Sequence, residues 1–415
     1  MLTPHILIVG NSFSDLRNYL SEHGFTYTTL KDKSLTKFPD KKLKHRHVVD
    51  FSNIDTVLQA ASDLHAKTPV DGVLVTYERF IEPAAQIAKH LGLPGLPLDA
   101  ALACTDKFVM RQKFAGAPQK ISPDFAVVTT EDEVRAFAEH HQFPLILKPA
   151  NLSKSLLVSK ANTLEELLRQ YRKTMDTIDA VYAKYAPHTT PKLLIEEFME
   201  GSVHSVDAFV DREGIPHVLE AVVDYQTGHD IGYDDNFHYS RLLPSQLSPE
   251  TIAAIRETAA IGCRALNIKN SPAHIEIILT SEGPRIVEIG ARNGGYRERM
   301  HRLANGIDIT ANAIRLSLGQ VPTIGADRSE SVGVFELFPK EPGIFTGLRN
   351  EQALRDLPSL TYLSIKATEG KFAGSSSGGY KMCAVVMLHN ADREQFVRDV
   401  TFLNEQVSVQ TTPHN

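Results

Sequence analysis

The residues best suited to chemistry lie between His274 and Gly295, in the run HIEIILTSEGPRIVEIGARNGG. HIEIIL and RIVEIG read as antiparallel strands joined by the turn segment TSEGP, with Glu276 and Glu288 at inward-facing positions. If the turn centres on Glu282, the two carboxylates oppose each other at about 5 Å, where like charges destabilise a sheet. Such a pair persists if one carboxyl takes a proton or a divalent cation sits between them. Arg292, four residues past Glu288, favours the cation, because a metal and an arginine on one floor make a site for phosphate.

Other residues could serve the same ligand. Lys148 closes the apolar strand FPLILKPA. A lysine in that setting calls for a counter-charge such as a nucleotide phosphate, although alone it reads as an ordinary strand-end lysine. Lys107 opens the helical run DKFVMRQKF one turn before Arg111 and by itself reads as a solvated helix residue. Ser153, Lys154 and Ser155 offer hydroxyls and an ammonium to phosphate, though without the usual glycine. In IEEFMEG, a strand ends in a short connector at Glu196 and Glu197. Its backbone can pair with a purine edge that Phe198 and Met199 cover, with Glu196 accepting from an exocyclic amine; the plain reading is an acidic turn. His204 can reach a ribose hydroxyl. His274 shares a strand face with Glu276 and is a candidate base, with a structural histidine as the alternative.

The elements that must position these groups follow from the hydrophobic pattern. HILIVG (5–10) is a buried strand, residues 11–24 a helix, DGVLVTYE (71–78) a second strand and 83–90 a second helix, so residues 1–100 form an α/β domain. LGLPGLPLDA (91–100) punctuates the chain as a boundary does. Strands close at Lys148 and run on both sides of the 198–201 connector, helices fall near 249–266 and 300–318, and SVGVFELFP, LTYLSIKA and KMCAVVML are strands of a β-rich C-terminal part. GSSSGG (374–379) reads as a hairpin loop, with a phosphate cradle as the second reading.

The chain has 415 residues, long enough for two or three domains, and is 42% hydrophobic with a net charge of −6. That balance carries no general footprint for nucleic acid or anionic membrane, and the lysine-rich run 31–47 lacks aromatic interleaving, which makes it a solvated loop. Cys104, Cys263 and Cys383 are scattered and read as reduced packing residues. With no signal-peptide pattern and no membrane-length apolar run, a cytoplasmic protein is expected.

Together the pieces resemble the ATP-grasp superfamily of carboxylate–amine ligases. Lys107, Lys148, the EEFM connector, Glu276, Glu288 and Arg292 stand in that family's order over residues 70–320. The resemblance implies an α/β fold, α+β in parts, with a Rossmann-like N-terminal domain (1–100), an ATP-grasp domain (101–322) with a lid at about 118–200, and a β-rich C-terminal subdomain (323–415). It implies ATP and Mg2+ or Mn2+, with Lys107 and Lys148 on phosphates, Glu276 and Glu288 on metal, and Arg292 on the oxyanion of an acyl phosphate. Two departures stand out: the glycine-poor NLSKS loop, and Gly290 where many relatives carry an asparagine, a place that Asn293 would fill as ligand. The EIGARNGG segment and the C-terminal strands most resemble the L-amino-acid ligases. This implies amino acids as substrates, a dipeptide as product and a homodimer as a common assembly. The alternatives are a ligase using bicarbonate or formate and a non-catalytic nucleotide-binding protein.

Overall fold

The structure, a computed structural model, describes residues 3–35, 45–152, 156–186 and 189–414. Ser153, Lys154 and Ser155, called above as phosphate contacts, lie outside the described residues.

HILIVG is apolar throughout because β1 (His5–Gly10) is covered on both faces. It pairs in parallel with β2 (Thr26–Asp32) on one side and β4 (Gly72–Val75) on the other, and β3 (Arg46–Val49) lies beyond β2. The strand order therefore reverses between β1 and β4, and open parallel sheets bind ligands outside the carboxyl ends of their strands at such a point. Gly10 ends β1 at φ 94°, and a side chain there would collide with the Phe80 ring. Glycine thus lets the turn holding Glu78 close over the strand end.

The second unit is a four-stranded antiparallel sheet in the order β5 (Phe125–Val128), β8 (Leu193–Glu197), β6 (Leu145–Pro149), β7 (Ser159–Ala161). Leu145, Leu147, Leu193 and Ile195 pack beneath the helices Glu131–His140, Leu164–Met175 and Ile178–Tyr185. By strand alternation Lys148 and Glu196 belong to the opposite face, turned away from this core.

The third unit is an eight-stranded sheet. It starts with β13 (Gly283–Gly290), β12 (Ser271–Thr280), β9 (Ser202–Val210), β10 (Pro216–Thr227) and β11 (His238–Leu243). It continues through β14 (Ser331–Leu337), β18 (Ala384–Asn390) and β16 (Leu360–Ile365). The C-terminal segment thus extends the central sheet, and only β15 (Gly343–Arg349), β17 (Phe372–Ala373) and β19 (Ser408–Thr412) form a small sheet apart. On one face of the central sheet Val206, Ala208, Ile275, Ile277 and Ile289 pack with Ile255, Ala259 and Cys263 of the helix Pro249–Ala265. The helical stretch expected at 300–318 is two helices, Arg297–Ala304 and Ile309–Ser317. The break falls where Gly306 takes φ 75° and Asp308 caps the second helix. The three cysteines are buried and unpaired, as expected. Among the described residues no helix is long and apolar enough to cross a membrane.

Candidate functional site

Glu276 and Glu288 are direct cross-strand partners, although not by a symmetric turn about Glu282. Thr280 pairs with Gly283 across a two-residue turn, which by itself would set Glu276 opposite Val287. A bulge at Val287 restores the pairing. It also separates Ile286, on the core face with Ile277, from Glu288, which faces away with Glu276. In a regular strand residues two apart would share a face.

Neither carboxyl needs a proton or a metal to coexist with the other, because protein cations already stand beside both. Lys107 Nζ lies 2.9 Å from Glu288 Oε2, and this charge holds the Glu288 carboxyl below its usual range. Burial would raise the Glu276 carboxyl, yet it lies at about 2, with the cations His274, whose Nε2 is 3.7 Å from Glu276 Oε1, and Arg292 among the causes. Two ionised carboxylates in register are a donor set that suits a hard divalent cation, so the residues present fit magnesium.

His274 does not fit the role of base. Burial would lower its pKa, but its Nδ1 lies 2.8 Å from Asp207 Oδ1 and the pair raises the imidazole to about 10. It is a cation at neutral pH, with no lone pair for an incoming proton. Asp207 in turn meets Arg297 Nε at 3.3 Å and His301 Nε2 at 3.4 Å, and Arg297 donates to Ser205 Oγ. This network lies on the same sheet face as Glu276, two residues further along β9 and β12.

Lys107 and Arg111 stand one turn apart on the helix Lys107–Ala115, capped by Asp106, whose carboxylate accepts from the Phe108 and Val109 amides. Asp106 also pairs with Lys192 at 2.9 Å and accepts from Asn151, which ties the helix start to the four-stranded unit. Arg111 donates to both oxygens of Glu196, and Lys148 Nζ lies 2.6 Å from Glu196 Oε2. The lone lysine of the sequence therefore has a built-in counter-ion. Its pKa nevertheless falls to about 8, because burial, with Arg111 and Lys107 adding to it, outweighs Glu196.

Glu196 is accordingly the partner of Arg111 and Lys148, both of its oxygens taken, rather than an acceptor left free for an amine. Glu197 accepts from Lys120 and the Asp124 amide. Phe198 stacks under Lys160 Nζ, 3.8 Å from its ring centroid, and Met199 follows in the connector between β8 and β9. The connector ends at Gly201, where a side chain would collide with the Leu279 carbonyl, so hinge and hairpin touch backbone to backbone. The ribose contact expected of His204 is not supported. Its ring nitrogens engage Asp224 and Ser202, and it stands in β9 between Val203 and Ser205, on the face opposite Ser205, Asp207 and Glu276.

Arg292 lies beyond the end of β13 and reaches Glu78, at 2.7 Å, at the switch point of the N-terminal sheet. Glu78 was passed over among the sequence candidates because its partner is far off in the chain. Asn293, expected as a metal ligand, turns the other way. It lines a cavity of about 50 Å³ between the N-terminal sheet and the start of β12, among Val75, Ala85, Asn270 and Ala291, and not beside Glu276 and Glu288. β13 ends at Gly290 and the chain turns there, the Arg292 amide donating to the Gly290 carbonyl at 2.8 Å, so Arg292 reaches Glu78 while Asn293 lines the cavity. At Gly290 an added Cβ would meet only the Arg292 side chain, in ordinary contact. His238, also missed, sits near Glu276 with its pKa lowered by burial and its ring against Tyr225.

Comparison with known proteins identifies the family and the fold. Residues 27–95 match the ATP-grasp N-terminal domain and residues 141–298 the ATP-grasp domain, and the chain belongs to the ATP-grasp superfamily. It is 24% identical over 299 residues to the uncharacterized protein y4rH of Sinorhizobium fredii, covering 71% of this chain and 59% of that one. It is 27% identical over 235 residues to alanine–anticapsin ligase of Bacillus subtilis, covering 54% and 49%. The matched stretch is thus about half the length of these curated relatives. The fold superposes on the crystal structure of an L-amino acid ligase from Bacillus licheniformis with a TM-score of 0.82, at 18% identity and 99% coverage of both chains.

Proposed function

We propose that this chain is an ADP-forming carboxylate–amine ligase that joins two amino acids. The observation that carries the reading is the Glu276–Glu288 pair, set in register and kept ionised, with Lys107 and Arg292 at its rim. In this reaction a substrate carboxylate takes the terminal phosphoryl group of ATP, and an amine then displaces phosphate from the acyl phosphate. Magnesium held by Glu276 and Glu288 would neutralise phosphate charge as it moves. Lys148, at the end of β6, meets phosphate oxygens from the lid side, and Lys107 exchanges Glu288 for phosphate. Arg292, aimed by Glu78, stabilises the oxyanion of the tetrahedral adduct. His274, beside it on the same strand face, keeps Glu276 ionised. His238, which burial keeps neutral, is the imidazole of this floor able to take the amine's proton. The dipeptide-forming reading draws support from the likeness to alanine–anticapsin ligase over half of its length and from the whole-chain likeness to an L-amino acid ligase.

The test is phosphate release from ATP with a panel of amino acids, singly and in pairs, for the wild type and Glu288→Ala. Pair-dependent release that Glu288→Ala abolishes, with its melting curve unchanged, is the expected result. Release that needs bicarbonate or formate in place of a second amino acid would move the chain to another substrate class. Undiminished release by Glu288→Ala would sink the site assignment.

A further inference from the structure

Arg111 has no exposed surface, and its Nη1 has no hydrogen-bond partner among the described residues. A buried arginine with an unmet donor contributes little net stability, because desolvation offsets its ion pairing. What it contributes is position. Its Nε and Nη2 donate to the two oxygens of Glu196, at 2.9 and 3.4 Å, on β8. Nη2 also donates, at 2.8 Å, to the carbonyl of Val287 on β13. Val287 is the extra residue of the bulge that turns Glu288 toward Glu276, and β13 is the outermost strand of its sheet, where backbone groups lack ladder partners. One turn earlier on the same helix, Lys107 takes Glu288 itself. The helix therefore grips consecutive residues of β13, one by its carbonyl and one by its side chain. Glu196 carries the grip on to Lys148.

We propose that Arg111 is a positioning residue that couples the carboxylate pair of the hairpin to the phosphate lysine of the lid, one guanidinium setting both the bulge before Glu288 and the counter-ion of Lys148. This rests on the reading of the site as one for a metal-bound nucleotide. The role needs the planar fork of arginine, since a lysine ammonium is a point charge without that geometry. The charged groups facing Lys148 are Glu196, Arg111 and Lys107, and after burial Arg111 is among the causes of its lowered pKa.

The test is ADP binding by titration calorimetry, across magnesium concentration and pH, to the full chain and to Arg111→Lys and Arg111→Met, with circular dichroism to establish folding. Arg111→Lys keeps the charge and loses the fork. Its magnesium concentration for half-maximal binding should rise about ten-fold or more, as for loss of groups that orient metal ligands, while the pH midpoint of binding stays put. Arg111→Met should raise the magnesium requirement and also move the pH midpoint upward, because a positive neighbour of Lys148 is gone. A merely structural arginine would lower the melting temperature and leave both quantities unchanged, and that result overturns the proposal. A wild-type chain that binds no ADP overturns the site reading and the proposal with it, whereas binding by the wild type and an unaltered Arg111→Lys overturns the proposal alone. If Arg111→Met does not fold, the magnesium requirement of Arg111→Lys decides.

Discussion

Lys148 and His274 are both buried and both shifted, in opposite senses, and the neighbours explain why. Lys148 has one carboxylate against two other cations, so burial prevails and its pKa sits near 8, below the usual 10.5. Phosphate binds the charged form, so ADP affinity should be flat below pH 7 and fall as pH rises through about 8. A proton should also be taken up on binding near that pH, because phosphate raises the lysine again. Calorimetry in buffers of different ionisation enthalpy measures that uptake; none at pH 8 would mean that phosphate does not meet Lys148. His274 has Asp207 at hydrogen-bond distance and is held charged. Replacing it in His274→Gln removes a partner from a buried ion pair, and should cost about 3–5 kcal/mol of stability by chemical denaturation. An unchanged denaturation midpoint, with one limb of the pH–rate profile lost, would instead restore the histidine as a base.

At the scale of elements, the helix Lys107–Ala115 organises the site, and Asp106 fixes its start. Asp106→Ala removes an N-cap worth about 1 kcal/mol and the Lys192 and Asn151 contacts to the four-stranded unit. The expected outcome is a lower melting temperature together with weaker ADP binding, since the same helix aims Lys107 and Arg111; weaker melting with unchanged ADP affinity would argue that the helix holds its place without the cap. The hairpin shows how far a pattern carries. Alternation put Glu276 and Glu288 on one face, because their flanking isoleucines must be buried, while their register is set by the two-residue turn and the bulge at Val287. The bulge was not legible: Ile286, Val287 and Ile289 are equally apolar, and nothing local says which one leaves the ladder. β2 and β3 were missed for a related reason. TYTTLKD and RHVV are half polar, since β3 lies at the sheet edge with only Val49 buried, and the period of a one-sided edge strand is weak. Residues 36–44, the rest of the lysine-rich run, lie outside the described residues.

In the molecule as a whole the site is a meeting of three units. Glu78 comes from the turn after β4 of the N-terminal unit, Lys148 and Glu196 from the four-stranded unit, and Glu276, Glu288 and, just past β13, Arg292 from the central unit. A ligand that touches all three stabilises them jointly. Magnesium and ADP at a hundred times the dissociation constant should add about 2.7 kcal/mol to unfolding, read as a rise in melting temperature. A rise confined to one of several separate transitions would show that the ligand engages a single unit.

The types and order of the charged residues, and the alternation around Glu276 and Glu288, were enough to name the fold and the superfamily and to single out Lys107, Lys148, Glu276, Glu288 and Arg292, although not Glu78 or His238. These features are local or strictly ordered along the chain, and burial of neighbouring apolar side chains leaves them little freedom. Only the tertiary structure decided which charge meets which. Asp207 turned His274 into a cation, and Arg111 and Lys148 claimed Glu196. The pairing of His204 with Asp224 took it off the site face, and Asn293 turned into a cavity beneath the N-terminal sheet. Each of these depends on a partner from another strand or domain, and the energy of an ion pair follows distance and burial in space, which the spacing along the chain does not contain.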